Sequence, residues 1–273
     1  MASKLDQIIA AARVRVAETK RRVALSELER SAEKHVPRGF RRALENAARS
    51  GVAIIAELKK ASPSKGLIRA AFVPSFLAKE LEGAGAAALS VLTDEEFFQG
   101  SLENLQKASE ATSLPCLRKD FIVDEYQLVE ARAFRADAVL LIVAALDQPT
   151  LVRLAERAAA VGLDVLCEAH DEEELSRALD AGCNLVGVNS RDLKTFRVNL
   201  QTALDLAEKI PQGVVAVAES GIDSGLEIAR LRDAGYEAFL IGESLMRAES
   251  PGKALRELLE SASKHDKPLT SKH

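Results

Sequence analysis

Eight short apolar runs recur along the chain from Val52 onward, and a segment with helical spacing separates each run from the next. The runs hold five or six residues and are rich in Val, Ile, Leu and Ala, which is typical of parallel strands buried on both faces. Strand and helix alternate about every 25 residues, the period of βα units. The predicted strands are 52–56, 87–92, 115–119, 138–143, 163–168, 185–189, 214–219 and 238–242.

The segments between these runs are amphipathic and predict helices. Asp171 and Asp223 are predicted N-caps, because a short acidic side chain can accept the first free backbone N–H groups of a helix. Pro74, Pro149 and Pro251 suit first-turn positions. The predicted helices are 74–82, 101–110, 124–134, 148–161, 172–180, 200–209, 224–233 and 251–261.

Eight parallel strands, each followed by a helix, close most naturally into a (β/α)8 TIM barrel. We expect an α/β protein with a single barrel domain over residues 1–262. Residues 1–48 predict two or three helices that cap the barrel in a structural role, and 263–273 predict a flexible polar tail. A doubly wound open sheet is the alternative, but Glu57 and Lys59 follow the first strand where that fold would place a Gly-rich turn.

Charge and composition limit the partners and the compartment. The net charge of −4 and the pI near 5.8 give no uniform basic field, so we expect neither a nucleic-acid nor a membrane partner. No apolar run is as long as a signal peptide core or a membrane span, which predicts a cytoplasmic protein. Cys116, Cys167 and Cys183 lie in or beside apolar runs and are predicted to be reduced core residues.

Ionisable and polar residues stand where the apolar runs end. In a barrel these ends converge on one mouth, the C-terminal face, where such enzymes build their sites. Each residue alone would be a solvated charge at a strand end, but their convergence favours a site. The residues are Glu57, Lys59, Lys119, Glu168, Asn189, Arg191, Glu219 and Ser220.

Glycines follow the last two predicted strands, in Glu219-Ser220-Gly221 and in Ile241-Gly242-Glu243-Ser244. Free backbone N–H groups at this place in a barrel commonly bind phosphate. We expect the Glu243 side chain to point away from such a phosphate. The segment Ser62-Pro63-Ser64-Lys65 after the first strand could close over the phosphate, or could be only a mobile solvent loop.

Other chemistries lack their residue patterns. Glu168-Ala169-His170 is not a metal-binding signature, and no Ser/His/Asp arrangement or nucleophile elbow is present. We therefore expect no metal. What remains is acid–base chemistry by Lys and Glu, and proton donation near neutral pH calls for a lysine whose pKa is lowered by a neighbouring cation or by desolvation.

The strand ends, taken together, resemble the indole-3-glycerol phosphate synthase family of tryptophan biosynthesis. The resemblance covers about residues 1–262, and six motifs occur in the same order, which makes it specific. The motifs are Ile55-Ala-Glu-Leu-Lys-Lys-Ala-Ser-Pro-Ser-Lys-Gly66, Leu89-Ser-Val-Leu-Thr-Asp-Glu-Glu-Phe-Phe-Gln-Gly-Ser101, Pro115-Cys-Leu-Arg-Lys-Asp-Phe-Ile122, Cys167-Glu-Ala-His170, Gly187-Val-Asn-Ser-Arg-Asp-Leu193 and Ala218-Glu-Ser-Gly-Ile222.

The resemblance implies ring closure of 1-(2-carboxyphenylamino)-1-deoxy-D-ribulose 5-phosphate, with loss of CO2 and water, to indole-3-glycerol phosphate. It also implies that this reaction uses no cofactor. It implies that Lys119 is the principal general acid and that Glu168 is its acid–base partner in the dehydration. Glu57 and Asn189 are similar to residues that hold and polarise the substrate hydroxyls. Lys59 resembles a second cation beside the ring carboxylate or the hydroxyl that leaves.

The remaining implied site residues bind substrate. Arg191 resembles the family's carboxylate-binding arginine, and Glu219 and Ser220 resemble its hydroxyl contacts. The phosphate loops are implied to contain Ser62, Gly221, Gly242 and Glu243. The apolar wall around the anthranilate ring is implied to consist of Phe98, Phe121 and Leu140. Some family members have a small hydroxyl residue in place of Glu243.

Two other functions are weaker alternatives. A phosphoribosylanthranilate isomerase would use a Cys and an Asp at strand ends, whereas Cys116 lies inside the third predicted strand and no Asp ends the fifth. A catalytically inert barrel used as a binding subunit should have lost strand-end charges, and those expected are present. For the assembly we expect a monomer or a weak homodimer.

Overall fold

The computed structural model describes residues 4–192 and 195–265 of the 273-residue chain, and its centre is a closed barrel of eight parallel strands. The first strand pairs with the second and also with the last, through Ile55 with Ala88 and Ala53 with Ala238. All eight predicted strands are confirmed, to within two residues at either end. They are β1 Ala53–Leu58, β2 Ala88–Leu92, β3 Cys116–Lys119, β4 Ala138–Ile142, β5 Asp164–Ala169, β6 Leu185–Asn189, β7 Val215–Glu219 and β8 Ala238–Ile241.

Helices precede the barrel and pack around it. Among the described residues, none of these helices is both long and apolar enough to cross a membrane. The predicted helical segments are confirmed with small shifts at their ends. The helices are α1 Lys4–Arg22, α2 Leu25–Ala32, α3 Phe40–Ser50, α4 Pro74–Glu82, α5 Glu95–Phe98, α6 Leu102–Glu110, α7 Tyr126–Ala133, α8 Gln148–Ala160, α9 Glu172–Asp180, α10 Gln201–Ala207, α11 Gly225–Ala234, α12 Glu243–Arg247 and α13 Pro251–His265, with a 3-10 turn at Val143–Ala145.

The two predicted N-caps have different outcomes. Asp171 is confirmed, since its side chain accepts the Glu174 N–H at the start of α9. The prediction for Asp223 is wrong, because Ser224 caps α11 and forms a capping box with Glu227. The Asp223 backbone N–H instead donates to the Glu227 carboxylate, so the helix begins one residue later than the acidic side chain suggested.

The loop after β1 contains structure that the sequence did not predict. Ala61–Ser62 and Gly66–Leu67 pair as an antiparallel hairpin. The short helices α5 and α12 were also not predicted. The hairpin gives the Ser/Pro/Gly loop an internal framework, and the motion expected of residues 60–66 stays a prediction.

Side chains of the barrel strands alternate between the interior and the helix layer, as the period of a strand requires. Ile55, Leu117, Leu166 and Val217 belong to the inner apolar cluster. The residues that follow each of these by two positions therefore also face inward, at the carboxyl ends of the strands. The opposite end of the barrel is filled by α3, whose fully buried Phe40 and Leu44 complete the inner cluster.

The extension before β1 consists of three described helices, in agreement with the prediction of two or three. Asp137 at the start of β4 is fully buried and joins this extension to the barrel, because it accepts hydrogen bonds from the Arg38 backbone and guanidinium. Of the predicted tail, residues 263–265 form the end of α13, and 266–273 lie outside the described residues.

The prediction that all three cysteines are reduced is wrong for two of them. The structure joins Cys167 and Cys183 in a disulfide with the two Cα atoms 6.4 Å apart, while Cys116 is free and buried. Cys167 faces the helix layer from β5, and Cys183 lies two residues before the neighbouring strand β6. The pair was not predictable from the sequence, because only the adjacency of these strands brings the two residues together.

Candidate active site

The C-terminal mouth of the barrel opens into a cavity of about 180 Å³. All fifteen predicted site residues line it, so the structure brings together on one face what the sequence distributes over eight strands and the loops that follow them. The alternation of inward- and outward-facing side chains along each strand explains this convergence. Glu57, Lys119, Glu168, Asn189 and Glu219 each continue the inward-facing row of their own strand.

Lys119 lies at the centre of the charged part of the cavity. Its Nζ is 3.0 Å from Glu168 Oε2 and 2.6 Å from Glu219 Oε2. Both carboxylates are almost fully buried, with side chains 3% and 2% exposed, and Lys119 is 13% exposed. A buried ammonium needs such pairing, because an unpaired charge in this environment would be strongly destabilising.

The expectation of a lowered lysine pKa is wrong for Lys119 in this structure. Burial by itself would lower the pKa of Lys119, but the carboxylates of Glu168, Glu219 and Glu57 outweigh burial and raise it above its ordinary value. The sequence predicted desolvation correctly but could not show that three carboxylates surround one ammonium. Lys119 is therefore a protonated group whose proton is held by its neighbours.

The two carboxylates beside Lys119 differ in their protonation. Burial raises the pKa of Glu168, but Lys119 and His170 outweigh it, so the pKa of Glu168 lies below its usual range. Burial and the nearby Glu168 charge raise the pKa of Glu219 to about 7, against the lowering effect of Lys119. One carboxylate is thus firmly ionised, while the other titrates near neutral pH.

A second ion pair occupies the β1 side of the mouth. Lys59 Nζ is 2.5 Å from Glu57 Oε1, and the Glu57 side chain is 4% exposed. Burial raises the pKa of Glu57, but Lys59 and Lys119 outweigh it and hold that pKa below its ordinary value. The mouth therefore presents two ammonium groups among three buried carboxylates.

Two glycines make room for these carboxylates. A Cβ atom on Gly187 of β6 would lie 2.2 Å from Glu219 Oε1, and one on Gly242 would lie 2.6 Å from Glu57 Oε1. Both distances are far below van der Waals contact, so any side chain at either position would displace a site carboxylate. Gly187 was not singled out in the sequence, since its importance comes from a neighbour on another strand.

Cations gather around Glu243 on the other side of the mouth. The Glu243 carboxylate is 3.6 Å from Lys65 Nζ, 3.7 Å from an Arg191 guanidinium nitrogen and 3.1 Å from Arg247 Nε. The expectation that this side chain points away is wrong, because Glu243 lines the cavity and pairs with cations there. Asn189 Oδ1 accepts the Arg191 backbone N–H at 3.0 Å, which ties Arg191 to the end of β6.

An apolar wall faces the charged groups. The rings of Phe98 and Phe121 are 6.4 Å apart between centroids and tilted by 35°. Leu140, 2% exposed, continues this surface on β4. The cavity can therefore receive a flat apolar ring on one side and anionic or hydroxyl groups on the other.

Helix α1 also contributes to the cavity, which the sequence did not predict. Lys4, Leu5 and Ile8 line it. The Arg15 guanidinium anchors the helix by ion pairs to Asp94 at 3.0 Å and to Asp120 at 3.1 Å, both of them buried. The apolar stripe of α1 was visible in the sequence, but its partner surface was not.

Cys116 lies at the opposite end of the barrel from the cavity, at the start of β3. Burial raises the pKa of its thiol to about 12, so the thiol stays protonated at neutral pH. This position and protonation argue against a Cys/Asp acid–base pair. Within residues 4–192 and 195–265, no three His, Cys, Asp or Glu side chains are grouped to hold a metal ion.

Comparison with known proteins identifies close relatives. The family model of indole-3-glycerol phosphate synthase matches residues 5–258. An indole-3-glycerol phosphate synthase of Koribacter versatilis (strain Ellin345) is 60% identical over 259 residues, which cover 95% of this chain and all of the relative.

Solved structures with low sequence identity share the fold alone. The 3-hexulose-6-phosphate synthase of Salmonella typhimurium is 13% identical with a TM-score of 0.63, and the match covers 79% of this chain and 100% of that chain. The thiamine phosphate pyrophosphorylase of Pyrococcus furiosus is 18% identical with a TM-score of 0.59, covering 81% and 98%.

The space that Gly187 leaves for Glu219 can be tested by Gly187→Ala. We expect the free energy of unfolding to fall by roughly 1–3 kcal/mol, because the added methyl group must push a buried carboxylate away from Lys119. Urea denaturation followed by circular dichroism measures the change. Gly51→Ala is the matched control, since Gly51 has an extended φ of 170° and open space around its Cβ position. Equal stabilities of the two variants would contradict the close approach.

The raised pKa of Glu219 predicts a pH-dependent effect of Glu219→Gln. Folded Glu219 binds a proton up to about pH 7, whereas its ordinary pKa is 4.5, so stability from this group is present at low pH and is lost as pH rises through 7. The variant lacks this loss. We therefore expect its free energy of unfolding, relative to the parent, to increase by roughly 2–4 kcal/mol between pH 5 and pH 8.

Denaturation curves at several pH values test this expectation for Glu219→Gln. Glu103→Gln is the control, because Glu103 is 71% exposed and forms a surface ion pair with Lys107 one helix turn away. A Glu219→Gln difference that stays constant from pH 5 to pH 8 would show that Glu219 titrates normally.

Proposed function

The chain belongs to the indole-3-glycerol phosphate synthase family, and on that premise we propose how its residues divide the reaction among them. As a member it is a carboxy-lyase of tryptophan biosynthesis that acts on a small phosphorylated substrate. The reaction closes the indole ring of 1-(2-carboxyphenylamino)-1-deoxy-D-ribulose 5-phosphate and releases CO2 and water. The observation that carries the proposal is the buried Lys119 ammonium between two carboxylates and opposite an apolar wall.

The substrate lies across the cavity with its aromatic ring against Phe98, Phe121 and Leu140. These side chains supply the apolar surface that a planar ring buries. The phosphate lies at the loops after β1, β7 and β8, beside Ser62, Gly221, Gly242 and Glu243. This orientation places the ribulose chain between the two ends, over the ion pairs of the mouth.

Lys119 acts as the general acid. In ring closure the aromatic carbon that bears the carboxylate attacks the ribulose carbonyl carbon, and Lys119 Nζ gives a proton to the carbonyl oxygen. The raised pKa of Lys119 keeps this proton in place before the reaction. Transfer becomes favourable as negative charge develops on the oxygen, because the ammonium then stabilises the transition state more than the bound substrate.

Glu168 is the acid–base partner in the dehydration. Its pKa lies below the usual range, so it is ionised and able to accept a proton from the substrate. Lys59 Nζ gives a proton to the departing hydroxyl, which leaves as water. Glu57 and Asn189 hold and polarise the substrate hydroxyls, and Glu219 and Ser220 add further hydroxyl contacts.

Lys59 and Arg191 bind the ring carboxylate before it is lost. An ammonium and a guanidinium are suited to an anionic group of this size. Ring closure converts the ring nitrogen into a cationic imine, and this positive charge draws in the electrons of the breaking carbon–carboxylate bond. The reaction as written consumes no cofactor and needs no metal, so we propose that the enzyme uses neither.

Glu243 contributes to phosphate binding through its backbone N–H. Its carboxylate is close to Lys65 and Arg191, and a bound phosphate would compete with it for these cations. Arg247, on the same helix, holds one carboxylate oxygen at 3.1 Å and can retain the side chain when the phosphate enters. Lys65 is then free to pair with the phosphate instead.

The pathway and the net charge of the enzyme indicate its compartment and its binding partners. We propose a cytoplasmic monomer or weak homodimer whose partner is its substrate, with no nucleic-acid or membrane partner. The net charge of −4 is unfavourable for binding nucleic acid or an anionic lipid surface. Light scattering over a concentration series tests the assembly, and a tight dimer or a higher oligomer at low concentration would contradict it.

The central role of Lys119 is tested by comparing Lys119→Met with the parent protein in a fluorescence assay. The substrate is 1-(2-carboxyphenylamino)-1-deoxy-D-ribulose 5-phosphate, and the buffer contains a chelator. The chain contains no Trp, so the protein's own emission does not obscure the indole emission of the product. We expect the parent to produce a rising signal and the variant to lose about 10²–10⁴-fold in kcat, because its side chain keeps its length but has no proton to donate.

Lys107→Met is the matched control, since Lys107 is exposed on α6 and should leave kcat unchanged. A folded Lys119→Met variant with near-parental kcat would remove Lys119 from the mechanism. A parent protein without any signal would contradict the assignment of the substrate.

A further inference from the structure

His170 lies directly behind a proposed catalytic carboxylate. It follows the last residue of β5, and its Nε2 is 3.4 Å from Glu168 Oε1. Its Nδ1 is 2.9 Å from Glu174 Oε2, and its backbone N–H donates to the same oxygen at 2.8 Å. The three residues form a line from the surface of α9 to the cavity, with side chains 16%, 12% and 3% exposed in the order Glu174, His170, Glu168.

The two oxygens of Glu168 have different partners. Oε2 faces Lys119 at 3.0 Å, and Oε1 faces the imidazole of His170. The Nε2 atom of His170 is buried and has no hydrogen-bond partner among the described residues, so Glu168 is the group with which it interacts. The separation of 3.4 Å is long for a hydrogen bond but within the range of an ion pair.

We propose that His170, held in place by Glu174, is a positioning residue that fixes Oε1 of Glu168 and so keeps Oε2 directed towards Lys119 and the reacting atoms. This inference rests on the proposed role of Glu168 in proton transfer. His170 does not line the cavity, and it therefore acts on the substrate only through Glu168.

Electrostatics supports this arrangement. The charged groups that contact His170 are the carboxylates of Glu168 and Glu174. Lys119 forms an ion pair with the Glu168 oxygen that His170 does not contact. Burial would lower the pKa of His170, but the two carboxylates outweigh burial and raise it to about 10. An imidazolium at neutral pH thus offsets part of the negative charge that Glu168 and Glu219 place close together.

Removal of the imidazolium would leave Glu168 with one cation, Lys119, which it shares with Glu219. Both oxygens of Glu168 would then compete for the same ammonium, and the carboxylate could rotate. Because proton transfer depends on geometry at the scale of an ångström, such a rotation lowers the rate of the chemical step more than it weakens substrate binding.

The test compares His170→Gln with Glu174→Gln in steady-state assays. For His170→Gln we expect kcat to fall about 10–100-fold while KM changes less than about threefold. For Glu174→Gln we expect a smaller fall of about three- to tenfold, because the histidine remains but loses its charged support. Glu173→Gln is the matched control, since it removes an exposed carboxylate from the same turn of α9, and it should keep parental kcat.

A spectroscopic measurement separates positioning from a merely structural role. Nitrogen NMR of the His170 ring should show an imidazolium in the parent at pH 8 and a lower pKa in Glu174→Gln and in Glu168→Gln. A structural role alone would lower thermal stability without changing the kcat of the folded protein. A kcat within twofold of the parent for folded His170→Gln would overturn the proposal, and if that variant does not fold, an unchanged kcat for Glu174→Gln would do so.

Glu168→Gln distinguishes failure of this inference from failure of the proposed function. Loss of turnover in Glu168→Gln together with parental turnover in the His170 and Glu174 variants would overturn only the positioning role. Parental turnover in Glu168→Gln would overturn the proposed role of Glu168 and, with it, the inference built on that role.

Discussion

The buried ammonium of Lys119 is the interaction on which the arrangement of the mouth depends. It joins β3 to β5 and β7 through Glu168 and Glu219, which lie 49 and 100 residues further along the chain. Each of these charges would be costly to bury alone, and each becomes tolerable because the others are present. The apolar interior of the barrel below them forces the charges together at one level, where the strands end.

This charge balance also explains how one site can serve successive steps. Ionised Glu168, protonated Lys119 and a Glu219 that titrates near neutral pH give the mouth a proton donor, a proton acceptor and a group able to change state between steps. The surrounding glycines and His170 do not react in this scheme. They determine where the carboxylates can lie, so small changes behind the site affect the geometry in front of it.

The sequence was sufficient for the barrel and for the charged strand ends of its mouth, because both follow from strand periodicity. Once eight strands are placed, the alternation of side chains along each strand requires Glu57, Lys119 and Glu168 to face inward. The apolar wall of Phe98, Phe121 and Leu140 was reached only through the family resemblance. Properties that depend on packing between distant segments were missed: the cavity wall from α1, the direction of the Glu243 side chain, the raised pKa of Lys119 and the Cys167–Cys183 disulfide. The cap at Ser224 was missed for a local reason, since two adjacent residues could both cap that helix.

The closure of the barrel has a consequence for the order of folding. β1 obtains its second neighbour only when β8 pairs with it, through contacts such as Ala53 with Ala238, and α1 is anchored by residues 79 and 105 positions later in the chain. Such long-range contacts slow folding, because a large loop must close before they form. A partly folded chain in which β8 is not yet paired has neither a closed ring nor a finished mouth. Catalytic competence should therefore appear late and all at once, as a property of the completed ring.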